Sequence, residues 1–249
     1  MPPSVRLYIA GDFAIFTRPE AKVERNSYPL PTPSAARNIL DSILWKPEFR
    51  WIVTRILLVK HPRAAANATP SLPSTIALKR NEVQSTIAPR TVRGWMQNPS
   101  SYEPQAAGAG QGTDGTPRMT TALKNVAYVI EAYPHVFTPV GTEGQINTPQ
   151  KYVACFERRA AKGQCRSQPY LGCREFAAEF RPATDADTPL DVTENLGRML
   201  YDIVFSAPGG KRPVFFDARL EHGVLNTRPE EVLHDAAARA EVLACSYKR

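Results

Sequence analysis

Apolar positions change their spacing several times along the chain, and each change predicts an element. In residues 4–16, VRLYIAGDFAIF predicts a strand, a bend at Gly11-Asp12 and a second short apolar run. The polar stretch TRPEAKVERNSYPLPT reads as loop. From Thr32-Pro33-Ser34 the spacing lengthens: Ala36, Ile39, Leu40, Ile43 and Leu44 recur at i, i+3, i+4, i+7 and i+8, one face of a helix. A Ser or Thr can cap that helix, Pro33 fits its first turn and Pro47 stops it. FRWIVTRILLV (49–59) is β-branched and aromatic, as a buried strand requires.

Residues 60–120 have a different texture, with short strand candidates in STIALKRNEVQSTIA between proline-rich loops. They end in a Gly/Ala/Gln tract, AAGAGQGTDGT (106–116), that reads as a mobile loop. It lacks GxxxxGK[ST] and a preceding strand, so it is a poor phosphate loop. TALKNVAYVIEAY (121–133) predicts a strong strand. A second helix is expected from Thr148, as cap, to about Lys162, with Pro149 in the first turn and Gly163 at the end. Val153, Phe156 and Ala160 share one side of it. Lys151, Arg158 and Lys162 lie about half a turn away, flanked by Arg159, because each residue advances the helix by about 100°. Such a face is either a solvated surface or a basic stripe for a polyanion.

GQCRSQPYLGCREFAAEF (163–180) continues into strand-like sequence. A hairpin, PVFFDARLEHGVLNT, is expected to turn near His222-Gly223, and PEEVLHDAAARAEVL (229–243) to form a final helix. The order strand, helix, strand, strand-rich insertion, strand, helix, strand and β-rich tail fits an α+β fold, a ferredoxin-like unit with an appended sheet. The expected division is 1–180, holding the insertion at about 60–120, and a smaller β-rich unit over 181–249.

Composition narrows the function classes. The 249 residues are 43% hydrophobic and 22% charged, ordinary globular usage, with 23 prolines that disfavour long uninterrupted helices. No apolar run approaches the roughly 20 residues of a membrane span. The start, MPPSVRLYIAGDF, lacks the features of a secretion signal, so a cytoplasmic location is expected. Cys155, Cys165, Cys173 and Cys245 form no CxxC, and His61, His135, His222 and His234 form no HExxH, so neither a metal site nor a cofactor is indicated. The formal charge is +7, unevenly spread: residues 1–180 hold 22 Lys/Arg against 13 Asp/Glu, and residues 181–249 hold 9 against 11. A basic body suits a polyanion partner, although a merely soluble basic surface has the same composition.

Five blocks carry a family resemblance: SAARNILDSILWKPEFRWIV (34–53), LKRNEVQS (78–85), TALKNVAYVIEA (121–132), GQCRSQPYLGCREF (163–176) and NLGRMLYDIVF (195–205). In this order they resemble the Cas-five subunit of subtype I-C CRISPR systems, a RAMP-superfamily protein, across nearly the whole chain. The resemblance implies an N-terminal ferredoxin-like (RRM-like) domain and a C-terminal antiparallel β-sheet domain. It implies a metal-independent endoribonuclease that cuts precursor CRISPR RNA at the base of the repeat hairpin. The protein would then keep the 5′ handle and join the backbone and large subunits of the interference complex. The basic surface could also engage duplex DNA nonspecifically.

Cutting RNA without a metal uses the 2′-hydroxyl as nucleophile, and needs a proton acceptor, a cation for the phosphorane and an acid for the leaving 5′-oxygen. The family's set resembles a tyrosine just before the WKP block and a Lys-His pair at the start of the second helix. Here those positions hold Leu44, Lys151 and Tyr152. Lys and Tyr have ordinary pKa values near ~10.4 and ~10, so neither is a ready base without tuning. Lys151 and Tyr152 are the expected catalytic pair, with Tyr152 as proton donor or orienting group. Weaker alternatives are His135, Tyr133, Tyr28 and Lys46. Expected RNA contacts are Arg37, Lys46, Arg80, Lys124, Arg158, Arg159, Lys162 and Arg166. Arg37 can instead pair with Asp41 at i+4. Trp45 can be a packing anchor or a base-stacking platform.

Overall fold

The first helix forms where the apolar stripe places it. Thr32 is extended and its hydroxyl accepts from the Ala35 amide, Pro33 opens the first turn, and α1 runs Pro33–Ile43 before Leu44 turns extended. Ala36, Ile39, Leu40, Ile43 and Leu44 are all buried. Each Leu or Ile so buried contributes about 1.5–3 kcal/mol. The computed structural model describes residues 2–21, 24–65, 67–83, 89–101, 115–140, 146–206 and 210–244, with backbone alone at 80–83, 115–118 and 206.

The strands are β1 Val5–Ala14, β2 Phe16–Thr17, β3 Arg25–Tyr28, β4 Phe49–Leu58, β5 Thr75–Val83 and β6 Gly115–Val136, followed by β7 Glu179–Pro182, β8 Glu194–Ser206, β9 Gly210–Glu221 and β10 Val224–Asn226. The remaining helices are α2 Pro89–Gln97, α3 Pro149–Ala161, α4 Pro229–Val232 and α5 Ala236–Ala244. Four strands pair antiparallel in the order β7–β1–β6–β4, with Leu7 opposite Ile130 and Pro182, and Ile56 opposite Ile130. Helix α1 connects β1 to β4 by way of the short β2–β3 pair, and α3 connects β6 to β7. On the helix side Leu7, Ile9, Ile56, Tyr128 and Ile130 meet Leu40, Ile43 and Phe156 in one core. On the other side Tyr8, Leu57, Val59, Ala127 and Val129 form a smaller cluster, closed by Ala183 and Val224. The C-terminal hairpin β8–β9 joins the same sheet, because β10 bridges β9 to β4.

Several expectations change. Strand β1 runs straight through Gly11-Asp12 instead of bending there. The stretch read as loop holds β3, which pairs parallel with β6. Among the described residues, the strand-rich insertion holds β5, hydrogen-bonded along the first part of β6, and the nine-residue helix α2, which buries no side chain and so leaves no apolar stripe in the sequence. Of the Gly/Ala/Gln tract, 106–114 lies outside the described residues and Gly115-Thr116 already belongs to β6. Residues 163–178 are mainly irregular, and only Glu179–Pro182 extends into strand. The expected turn at His222-Gly223 is present, with His222 at φ 47° and Gly223 at φ 75°. The single final helix is two pieces. Leu233 leaves helical geometry to become buried, and Asp235 restarts the chain by accepting from the Ala237 amide.

Gly172 explains the glycine of the QPYLGCREF block. It sits at φ +84°, and a Cβ there would lie 1.8 Å from the Ile15 carbonyl oxygen. The neighbouring Leu171 carbonyl accepts from the Ile15 amide at 2.9 Å, which pins the loop to the end of β1.

Candidate active site

The start of α3 assembles the most reactive-looking group of side chains. Thr148 is extended and its hydroxyl accepts from the Lys151 amide at 3.3 Å, with Pro149 in the first turn. Lys151 is exposed, yet its ammonium is held: Nζ donates to Asn147 Oδ1 at 3.1 Å. Asn147 is itself only 4% exposed. Its Nδ2 donates to the Thr138 carbonyl at 2.9 Å and its amide to the Pro139 carbonyl at 2.8 Å. The charge of Lys151 therefore stands where the free N–H groups of the first helical turn point outward, and both favour an anion such as a phosphate.

Tyr152 does not share that exposure. Its ring stacks on Phe49 at 4.2 Å between centroids, and the residue is 4% exposed. The phenol oxygen is buried without a hydrogen-bond partner. Burial, and secondarily the Glu48 charge, push its pKa up to about 12. As seated, Tyr152 is a core residue on the Tyr152–Phe156–Ala160 side of α3, which corrects its expected place beside the reacting hydroxyl. Leu44 is 2% exposed in the α1 stripe, and its carbonyl accepts from Trp51 Nε1 at 3.0 Å.

The basic stripe is present and extends beyond one helix. Lys151, Arg158 and Lys162 are exposed along α3. Arg159 is half-buried and donates to the Ile43 carbonyl at 2.8 Å, capping the end of α1. Arg166 lies with its guanidinium 4.9 Å from the centre of the Trp45 ring, and its amide donates to the Ser42 carbonyl at 2.7 Å. Lys46 is exposed in the same short 44–48 connection. The end of α1, the head of β4 and the outer face of α3 thus gather Lys46, Lys151, Arg158, Arg159, Lys162 and Arg166.

Other expected residues lie elsewhere. Arg37, expected at the RNA surface, instead turns inward to Asp202, which also pairs with Arg50, so Arg37 ties α1 to β8. Lys124 is exposed opposite Phe13, at the far end of β6 from α3. Arg80 lies in β5, and its side chain is outside the described residues. His135 pairs with Arg50 and Tyr133 with Ile52, whereas Phe49, one residue from Arg50, packs against α3. Alternation along the strand puts His135 and Tyr133 on the sheet face away from Lys151. Tyr28 is 1% exposed and its hydroxyl accepts from the Leu200 amide.

Two residues of the site escaped the sequence pattern. Asn147 precedes the cap and carries no periodic signal. Glu48 follows Pro47 and is half-buried, with Oε2 buried and lacking a hydrogen-bond partner. Its carbonyl accepts from the amides of Phe137 at 2.8 Å and Thr138 at 3.3 Å. Among the described residues, no three of His, Cys, Asp or Glu come together as metal ligands, and no helix is long and apolar enough to cross a membrane.

Comparisons place this architecture among known proteins. A family model described as "CRISPR-associated protein (Cas_Cas5)" matches residues 4–240. A protein of Mannheimia succiniciproducens named "CRISPR pre-crRNA endoribonuclease Cas5d" is 39% identical over 237 residues, covering 92% of this chain and 96% of that protein. A Thermus thermophilus protein of the same name is 34% identical over 250 residues, covering 91% and 92%. A solved structure titled "Crystal Structure of CRISPR-associated Protein" shares the fold at a TM-score of 0.58 and 21% identity, covering 90% of this chain and 91% of that one.

Proposed function

Because the chain belongs to the Cas5 family of CRISPR-associated proteins, subtype I-C, we propose that it binds precursor CRISPR RNA and cleaves it at the base of the repeat hairpin. Two relatives are named pre-crRNA endoribonucleases. The observation that carries the reading is Lys151, an exposed ammonium tethered by a buried asparagine at the positive end of α3 and flanked by further cations. The order β7–β1–β6–β4 with two crossover helices is read as the ferredoxin-like unit, with residues 1–180 as the RNA-facing part and 181–249 as its β-rich support.

In this reading no metal takes part. The 2′-oxygen attacks the adjacent phosphate, the bond to the 5′-oxygen breaks, and a cyclic phosphate remains. Lys151 stabilises the charge that builds on the phosphorane oxygens, and the surrounding cations hold the strand in line. The product stays bound through its 5′ handle and docks with the backbone and large subunits of the interference complex.

Incubating the purified protein with repeat RNA from its own array, in excess chelator, tests this. Cleavage in chelator, reduced roughly 10²–10³-fold by Lys151→Ala, is the expected result. Cleavage that survives Lys151→Ala undiminished removes Lys151 from the reaction. Buried Leu44 and Tyr152 favour a second reading, an RNA-binding scaffold without efficient cleavage. Tight binding of repeat RNA that stays intact for hours would select it.

A further inference from the structure

We propose that the cavity between α1 and the loop 166–172 is a subsite for one unstacked base of the bound RNA; this rests on the RNA-binding half of the reading above and holds whether or not the strand is cut. The cavity has a volume of about 410 Å³, near the small end of the roughly 300–1,000 Å³ that ligand pockets span. One wall is the polar side of α1. Ser34, Asn38 and Ser42 recur at i, i+4 and i+8, turned away from Ala36, Leu40 and Ile43, and all three line the cavity. None of the three is buried, so the core does not use this stripe. Asn38 brings an amide that both donates and accepts, and Ser42 donates to the Ile39 carbonyl at 2.6 Å, which leaves its oxygen as an acceptor.

The facing wall carries an aromatic ring. Tyr170 lines the cavity and is 42% exposed, which is unusual for so large a side chain on a fixed backbone. The backbone around it is fixed on both sides: the Ala178 amide donates to the Pro169 carbonyl at 2.9 Å, and the Leu171 amide to the Phe176 carbonyl at 2.8 Å. Buried Ile15, Phe16 and Leu200 supply the apolar part of the lining. A held ring opposite amide and hydroxyl groups is the arrangement that receives a splayed-out base, which stacks on the ring and pairs its edge with the polar side chains.

The basic face of α3 leads to this cavity. Lys162 caps the helix, and Arg166, four residues on, is exposed, lies over the Trp45 ring and also lines the cavity. The amides of Arg166 and Ser167 donate to the Ser42 carbonyl at 2.7 and 3.1 Å, which joins the two walls at this end. A strand that follows Lys151, Arg158 and Lys162 arrives at Arg166, which takes a phosphate while the attached base turns inward. Asp41 adds a carboxylate to the α1 wall, so the interior suits a base and not a second phosphate.

The test is a mutant cycle between protein and RNA. The full chain and its Tyr170→Ala, Tyr170→Phe and Asn38→Ala variants are titrated with the cognate repeat RNA and with repeats that each carry one abasic residue at an unpaired position. Removing the seated base should weaken wild-type binding roughly 5–150-fold, the worth of one base stacked on an aromatic ring. Tyr170→Ala should weaken binding of the intact repeat to a similar degree and lose nothing more on that one abasic repeat, while abasic residues elsewhere keep their full effect. Tyr170→Phe, which keeps the ring, should bind as the wild type does, and the smaller loss from Asn38→Ala should vanish on the same abasic repeat. Losses from Tyr170→Ala and Asn38→Ala that simply multiply with those of every abasic position overturn the subsite. A wild type that fails to bind the intact repeat overturns the RNA-binding reading itself, and that titration tells the two failures apart.

Discussion

Replacing Asp202 by alanine should destabilise the protein more than any surface change, because it breaks the junction between the two ends of the chain. The Asp202 carboxylate, with its side chain 3% exposed, accepts from Arg37 on α1 and Arg50 on β4. The Ile203 amide supplies a further bond at 2.8 Å, and Arg50 reaches on to the Val242 carbonyl of α5 at 3.1 Å. Burial alone would push the Asp202 carboxyl up, but the Arg37 and Arg50 charges and the bonds from Arg37 and Ile203 more than offset it, so it is held below the usual range. Alanine leaves the two guanidiniums without their shared anion, a type of change that costs about 3–5 kcal/mol. In a chain of this size about 1 kcal/mol moves the melting point by roughly 2–4 °C, so the expected drop is about 6–20 °C by circular dichroism. The loss depends on pH in a fixed direction. The folded protein binds this proton less readily than the unfolded chain, so the stabilisation is complete above the unfolded value near ~3.9 and disappears as pH falls through the lower folded value. The gap between wild type and Asp202→Ala should therefore close in acid. A neutral-pH loss under about 1 kcal/mol, the level of exposed pairs, would refute the lock.

Tyr152→Phe removes a buried hydroxyl that has no partner, so it should leave RNA cleavage intact and stabilise by up to about 1–3 kcal/mol in thermal melts; lost cleavage would return Tyr152 to the reaction. Leu44→Tyr adds bulk to a residue 2% exposed, so it should cost about 1–3 kcal/mol in urea titrations and give no faster cleavage. Gly172→Ala places its Cβ against the Ile15 carbonyl at φ +84° and should lower stability by more than about 2 kcal/mol, read from the same titrations. Arg158→Gln with Lys162→Gln should weaken repeat-RNA binding and flatten the log–log salt slope by up to about 1.4, if both touch a single strand; an unchanged slope would place the RNA elsewhere.

How much was legible in the sequence depended on whether a signal was local. Helices α1 and α3 announced themselves through caps, prolines and 3.6-residue spacing, and both begin at the residues so marked. Strands β4 and β6 were visible as β-branched runs, although β6 starts six residues earlier than its apolar run, because there it is held by pairing with β5. The final helix was misread as one because Leu233 suits a helical stripe equally well, and only packing decides that it leaves the helix to be buried. At the site, the basic stripe of α3 followed from spacing alone. The fate of Arg37 did not, since its partner Asp202 lies 165 residues away. Tyr152 was placed by its neighbour in sequence, Lys151, yet consecutive residues on a helix point about 100° apart. One faces solvent and the other faces Phe49.

The same logic redistributes the positive charge. The excess in residues 1–180 reads as one basic body, but much of it is matched internally. Arg6 and Arg55 share Glu131 on the sheet face away from α3, Arg63 pairs with Asp12, and Arg37 and Arg50 share Asp202. These arginines answer carboxylates that the fold brings to them, one of which, Asp202, lies in the C-terminal third. Among the described residues, one set turned to solvent lies on and around α3: Lys46, Lys151, Arg158, Lys162 and Arg166. In the proposed reading an elongated polyanion is attracted along this helix, and at Lys151 the helix's own N–H groups add to that attraction.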